Sequence, residues 1–181
     1  MLAARRAMPA EVRTRADAAL CTALAALARG RTRITGYVPL TGEPGGPALP
    51  AALAEAVAPG ELLLPVLGAD LDLDWARYTG PDGLRPATRG LREPAGPRLG
   101  AAAVATADLV VVPAVAVDRR GVRLGRGGGS YDRALARVGP AVLVVAVLYD
   151  GELVDRLPAQ GHDRPVNGVV TPGGGFGRLR D

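Results

Sequence analysis

Two uninterrupted apolar runs, Leu109 to Val112 and Ala141 to Val147, constrain this chain more than any other feature of it. A strand with one face in water alternates apolar and polar residues, whereas a strand covered on both faces reads as a continuous apolar run. The runs therefore predict buried parallel strands with helices on either side. The neighbouring segments fit. Arg33 to Val38 reads as a strand, Pro47 to Val57 as a short helix, Leu62 to Val66 as a second strand and Gly168 to Thr171 as a last short one. Leu73 to Tyr78 alternates and suits a sheet edge. Glu11 to Ala28 places Val12, Ala16, Leu20, Leu24 and Ala25 on one helical face and stops at Gly30. Asp82 to Gly100, with Pro86, Pro94 and Pro97, reads as loop. This order predicts a single-domain, three-layer α/β/α sandwich with a mainly parallel, Rossmann-like sheet, and a site beyond the carboxyl ends of the strands. Residues 1–171 form the domain, and the glycine-rich stretch 172–181 reads as a flexible tail.

Composition narrows the partners. A chain of 181 residues is large enough to bury roughly 70% of its unfolded surface in one domain. With 3% aromatics, its core must be built from Ala, Val and Leu. All 22 basic residues are arginine, set against 18 acidic ones. The net charge of +4 is small, the arginines are dispersed, and no basic run is interleaved with aromatics. These features argue against a nucleic-acid partner. Cys21 alone cannot form a disulfide within the chain, and His162 alone leaves a zinc site without ligands. The longest apolar stretch, Ala101 to Val117, is broken by Asp108 and Pro113 and is too short for a membrane span. No signal peptide starts the chain, so a monomer in the cytoplasm, away from membranes, is expected.

Chemistry concentrates in residues 118–133. Gly127, Gly128 and Gly129 lead directly into Ser130-Tyr131-Asp132-Arg133 and a helix-like run ending near Val138. Such a loop turns tightly and brings backbone N–H groups close to a bound group, which suits phosphate. Arg123, Arg126 and Arg133 add guanidinium forks for phosphate oxygens. Asp132 could hold magnesium against those phosphates or simply complement the start of the helix. The string is not a P-loop, since no Gly-Lys-Ser/Thr follows. It is not the dinucleotide fingerprint either, since Ser130 stands where a glycine should. Generic rules stop at a polyphosphate loop.

The longer string is more specific. Val112-Pro113, Asp118-Arg119-Arg120-Gly121, Leu124 to Gly129 and Tyr131-Asp132-Arg133 together resemble the signature of the 5-formyltetrahydrofolate cyclo-ligase (methenyltetrahydrofolate synthetase) family. Tyr37-Val38-Pro39 with Glu43, Leu64-Pro65, Asp74-Trp75, Glu93-Pro94 and His162-Asp163 match weaker landmarks in order and spacing, over about Arg5 to Val170. The resemblance implies an ATP-dependent ligase that converts 5-formyltetrahydrofolate to 5,10-methenyltetrahydrofolate. It uses magnesium and releases ADP and phosphate.

It also implies roles for particular residues. Gly125, Arg126, Gly127, Gly128, Gly129, Ser130, Tyr131, Asp132 and Arg133 would hold ATP, with Arg126 neutralising the transferred phosphoryl group. Tyr131 would stand beside the reacting centre. Val38, Glu43, Trp75 and Tyr131 would meet the folate, and Asp132 and Asn167 the metal. The family's first helix carries a Lys-x-x-x-Arg pattern that has no counterpart here, where only Arg5-Arg6 align with that helix. Ser130 replaces a family tyrosine and Asn167 a family aspartate. An alternative therefore stays open at this level: a relative that binds nucleotide or reduced folate without efficient turnover.

Overall fold

A computed structural model describes residues 1–161 and 163–179; the expected His162 landmark and the last two tail residues lie outside them. Helices α1 (Leu2–Ala7) and α2 (Ala10–Ala28) lead into strand β1 (Arg33–Thr35), helix α3 (Leu49–Val57) and strands β2 (Glu61–Leu67) and β3 (Leu73–Arg77). A hairpin of β4 (Leu84–Pro86) and β5 (Arg92–Pro94) follows, then a 3-10 segment at Ala101–Thr106 and β6 (Leu109–Pro113). Next come β7 (Ala116–Asp118), β8 (Arg123–Leu124), α4 (Ser130–Leu135) and β9 (Leu143–Val147). The chain closes with β10 (Leu153–Val154), β11 (Gly168–Thr171) and β12 (Gly175–Arg178).

Seven strands form the main sheet in the order β12-β11-β9-β6-β1-β2-β3. Neighbours from β11 to β2 run parallel, and β3 and β12 close the two edges antiparallel. The apolar runs behave as expected of strands covered on both faces. Leu109, Val111, Val145 and Val147 pack beneath α2 and α3 with Leu20, Leu24 and Leu53. Val110, Val112, Val144 and Ala146 face the opposite layer, against Val104 and the α4 residues Ala134 and Leu135. This is the three-layer sandwich expected from the sequence.

Three local expectations need correction. Val12 is exposed, because the first turns of α2 face away from the sheet, while Leu20 and Leu24 are buried as expected, with Ala28 beyond them. The 82–100 stretch holds the β4–β5 hairpin, whose ladder pairs Leu84 with Pro94 and Pro86 with Arg92. The glycine-rich tail is a strand: Gly175–Arg178 pair along β11, with Val170 opposite Phe176. Gly168 makes room for it, since a Cβ there would lie 2.7 Å from the Phe176 ring.

Candidate active site

The sheet order places its reversal between β1 and β6, because the chain moves from β1 out to β2 on one side and later builds β6, β9 and β11 on the other. At such a switch point the loops leaving adjacent strands part in opposite directions and open a crevice. A cavity of about 720 Å³ lies there. Tyr37 and Val38 just past β1, Pro65 and Leu67 of β2, and Pro113 and Ala114 at the end of β6 line it. Residues 123–132 supply the facing wall.

The 118–133 string divides into a structural half and a half that faces the cavity. Asp118 has no exposed surface. Its Oδ1 accepts the N–H groups of Arg120 and Val122, while Oδ2 accepts the Arg120 guanidinium at 2.7 Å and the Leu157 N–H at 3.0 Å. Burial pushes its pKa up, but these donors outweigh burial and hold the carboxyl below the usual aspartate value. Gly121 has φ +83°, and a Cβ there would lie 2.1 Å from the Val166 carbonyl. The Asp-Arg-Arg-Gly portion therefore folds the loop and docks it on Leu157 and Val166.

Gly125 to Asp132 face the cavity. Gly127 and Gly129 have φ +87° and +65°, so the turn into α4 needs glycine at both. A Cβ on Gly127 would enter open space, leaving the backbone accessible. The α4 helix is only six residues long, so the loop's own N–H groups and arginines, more than a helix dipole, would meet an anion. Arg123 is nearly buried, its Nη2 3.1 Å from Asp132 Oδ1 and its guanidinium 5.6 Å from the Tyr131 ring. Its Nε is buried without a hydrogen-bond partner among the described residues. Tyr131 lines the cavity, and desolvation, then the Glu43 carboxylate, pushes its phenol well above the ordinary value.

Glu43 and Arg126, expected to meet the folate and the nucleotide respectively, touch. Glu43 is 9% exposed, its Oε2 accepts the Leu40 N–H at 2.9 Å, and its Oε1 lies 3.1 Å from Arg126 Nε. Behind them Tyr37 donates to the Pro44 carbonyl at 2.7 Å, fixing the loop that carries Glu43.

Three expected site residues lie elsewhere. Trp75 is 1% exposed in the core with Leu63, Val104 and Val112 and does not line the cavity. Trp75 shares its face of β3 with Leu73, in the same core cluster, and of the two only Leu73, at the start of the strand, reaches the cavity edge. Asn167 bridges backbone: its Oδ1 accepts the Val144 N–H at 2.8 Å and its Nδ2 donates to the Val142 carbonyl at 2.9 Å. Both ends of the amide are thus used at the start of β9. Arg133 turns outward and donates to the carbonyls of Leu71 and Gly128. It braces the glycine loop.

Sequence reasoning placed Arg5 only by alignment. Its guanidinium is buried, binding Glu152 at 2.6 and 2.7 Å and the Ala114 carbonyl at 2.6 Å. It thus pins the cavity's back wall to the amino-terminal helix. The hairpin residues Arg89, Leu91, Arg92 and Glu93 also line the cavity, and only the Glu93-Pro94 landmark hinted at them.

This architecture matches a known class of enzyme. A profile of the 5-formyltetrahydrofolate cyclo-ligase family covers residues 1–172, and the chain belongs to that family. It is 42% identical over 185 residues to the 5-formyltetrahydrofolate cyclo-ligase of Mycolicibacterium smegmatis, covering 99% of this chain and 94% of that one. The fold superposes on the Aquifex aeolicus 5,10-methenyltetrahydrofolate synthetase with TM-score 0.77 and 31% identity, over 99% of this chain and 89% of that one. A synthetase from Mycoplasma pneumoniae shares the fold, with TM-score 0.71 and 17% identity over 93% and 92% of the two chains.

Proposed function

We propose that this chain converts 5-formyltetrahydrofolate to 5,10-methenyltetrahydrofolate at the expense of ATP, releasing ADP and phosphate. The observation that carries the reading is one cavity, at the sheet's switch point, joining a glycine-arginine wall to a wall holding a buried carboxylate.

The formyl group on N5 is an amide, so its carbon is a poor electrophile. Transfer of the γ-phosphoryl group to the formyl oxygen makes that oxygen a leaving group. N10 then attacks the carbon, and phosphate departs as the ring closes. The protein's task is positioning and charge neutralisation. The backbone of Gly125 to Gly129 and Ser130 holds the phosphates, and Arg126 and Arg123 offset their charge. Glu43 accepts hydrogen bonds from the donor edge of the pterin, Val38 packs on its face, and Tyr131 stands between the two substrates.

Glu43 and Arg126 neutralise each other across the cavity. A pterin that takes Glu43 therefore frees Arg126 for phosphate. Magnesium suits Asp132: Oδ1 is held by Arg123, and Oδ2 has no hydrogen-bond partner among the described residues. Such an ion needs one or two carboxylates when phosphates and water complete its shell. It would neutralise phosphate charge. We place the reaction in the cytoplasm and assign it to the monomer, since one chain supplies every residue named. The reading of a binder without turnover rests on the absent Lys-x-x-x-Arg pattern and on Asn167, whose amide here bridges the backbone at the start of β9.

The test is turnover of purified protein on 5-formyltetrahydrofolate with and without magnesium-ATP, followed by the absorbance of the product. ATP-dependent formation supports the reading; bound substrates without product would contradict it.

A further inference from the structure

The β4–β5 hairpin forms the cavity's outer wall and brings Arg89, Leu91, Arg92 and Glu93 into its lining. Glu93 serves the fold, because its Oε1 accepts the Leu67 N–H at 3.0 Å and ties the hairpin to the end of β2. The two arginines are exposed and form no ion pair with any described carboxylate. Arg92 reaches only the Leu84 carbonyl, at 3.5 Å, a long and weak contact.

The hairpin tip is itself unusual. Leu91 donates its N–H to the Thr88 carbonyl at 3.1 Å across a turn whose central residues are Arg89, at φ 58° and ψ 24°, and Gly90, at φ 74°. Positive φ at both central positions defines a type I′ turn, for which Asn-Gly or Asp-Gly is the relaxed choice. An arginine in that first position costs backbone energy, and no hydrogen bond or ion pair of its side chain with the described residues repays it.

We propose that Arg89 and Arg92 form a carboxylate-binding arm that holds the glutamate tail of the folate substrate. The inference rests on the folate reading above and extends it to the far end of the molecule. A reduced folate is a pterin joined through an aminobenzoyl ring to glutamate, which carries two carboxylates. With the pterin at Glu43 and Val38, the apolar side chains Leu67, Leu73 and Leu91 offer a bed for the ring. The unpaired guanidinium groups then meet the carboxylates, for which their planar forks are suited.

The experiment compares 5-formyltetrahydrofolate with 5-formyltetrahydropteroate, which lacks the glutamate, in the wild type and in the Arg89→Asn and Arg92→Gln variants. Wild type should show a lower KM for the glutamate-bearing compound by roughly 10-fold, as expected of partly exposed charge-assisted bonds. The double variant should bring the two KM values to within about twofold. Arg89→Asn should also leave the melting temperature unchanged or raise it, since asparagine relaxes the turn. Variants that keep the wild-type preference would overturn the arm and leave the folate reading standing. A wild type that turns over neither compound would overturn the folate reading and the arm with it.

Discussion

Arg126 and Glu43 show how little a residue's exposure reveals of its work. Arg126 is half exposed and Glu43 nearly buried, yet they meet at 3.1 Å across the cavity. Replacing Arg126 with alanine removes charge from the phosphoryl site without opening the core. Turnover should fall about 100-fold or more, with the melting curve little changed; a near-normal rate would remove Arg126 from that site. Glu43→Ala should raise the folate KM well beyond any change in the ATP KM, and equal losses would argue against a pterin contact. Both residues were legible in the sequence through the glycine string and the Tyr37-Val38-Pro39 landmark. Asn167 and Trp75 were not, because spacing fixes a position along the chain but not the direction a side chain takes. Asn167→Asp should lose the bond to the Val142 carbonyl and cost about 1–2 kcal/mol. The magnesium requirement should stay unchanged, and a lowered requirement would return Asn167 to the metal.

At the scale of elements, the β7–β8 loop depends on Asp118 much as the sheet depends on its apolar runs. The folded-state pKa of Asp118 lies below the ordinary aspartate value of 3.8. The stability it contributes is therefore present above that value and is lost as pH falls through the lowered folded pKa. Asp118→Asn should cost roughly 3 kcal/mol at neutral pH and should flatten the acid limb of the stability curve. An unaltered acid limb would assign that limb to other carboxylates. Gly121→Ala, which forces a Cβ onto the Val166 carbonyl, should be similarly costly in urea melts. Long apolar strands and α2 were readable because burial on both faces, or on one helical stripe, leaves a periodic trace. The β4–β5 hairpin and β12 left none. Proline at Pro86 and Pro94 and glycine at Gly175 and Gly177 are tolerated there because these short strands lie outside the buried parallel core.

For the whole molecule, the fold and the chemistry meet at the reversal in strand order. The loops leaving the paired strands β1 and β6 part there, carrying Val38 and Glu43 on one side and the string 118–133 on the other. The sequence implied a site beyond the strand ends; the pairing order explains why that site is a single cavity. Arg5 closes it from behind by holding Glu152 and the Ala114 carbonyl, a contact between residues too far apart in the chain for local patterning to reveal.

The central claim is that one cavity passes the phosphoryl group to the formyl oxygen and then expels that same oxygen with phosphate. Turnover of 5-formyltetrahydrofolate labelled with oxygen-18 in the formyl group, with phosphate analysed by mass spectrometry, tests it most directly. The account predicts one heavy oxygen in each phosphate released, formed in step with methenyltetrahydrofolate. Phosphate without heavy oxygen, with the label lost to water, would contradict it.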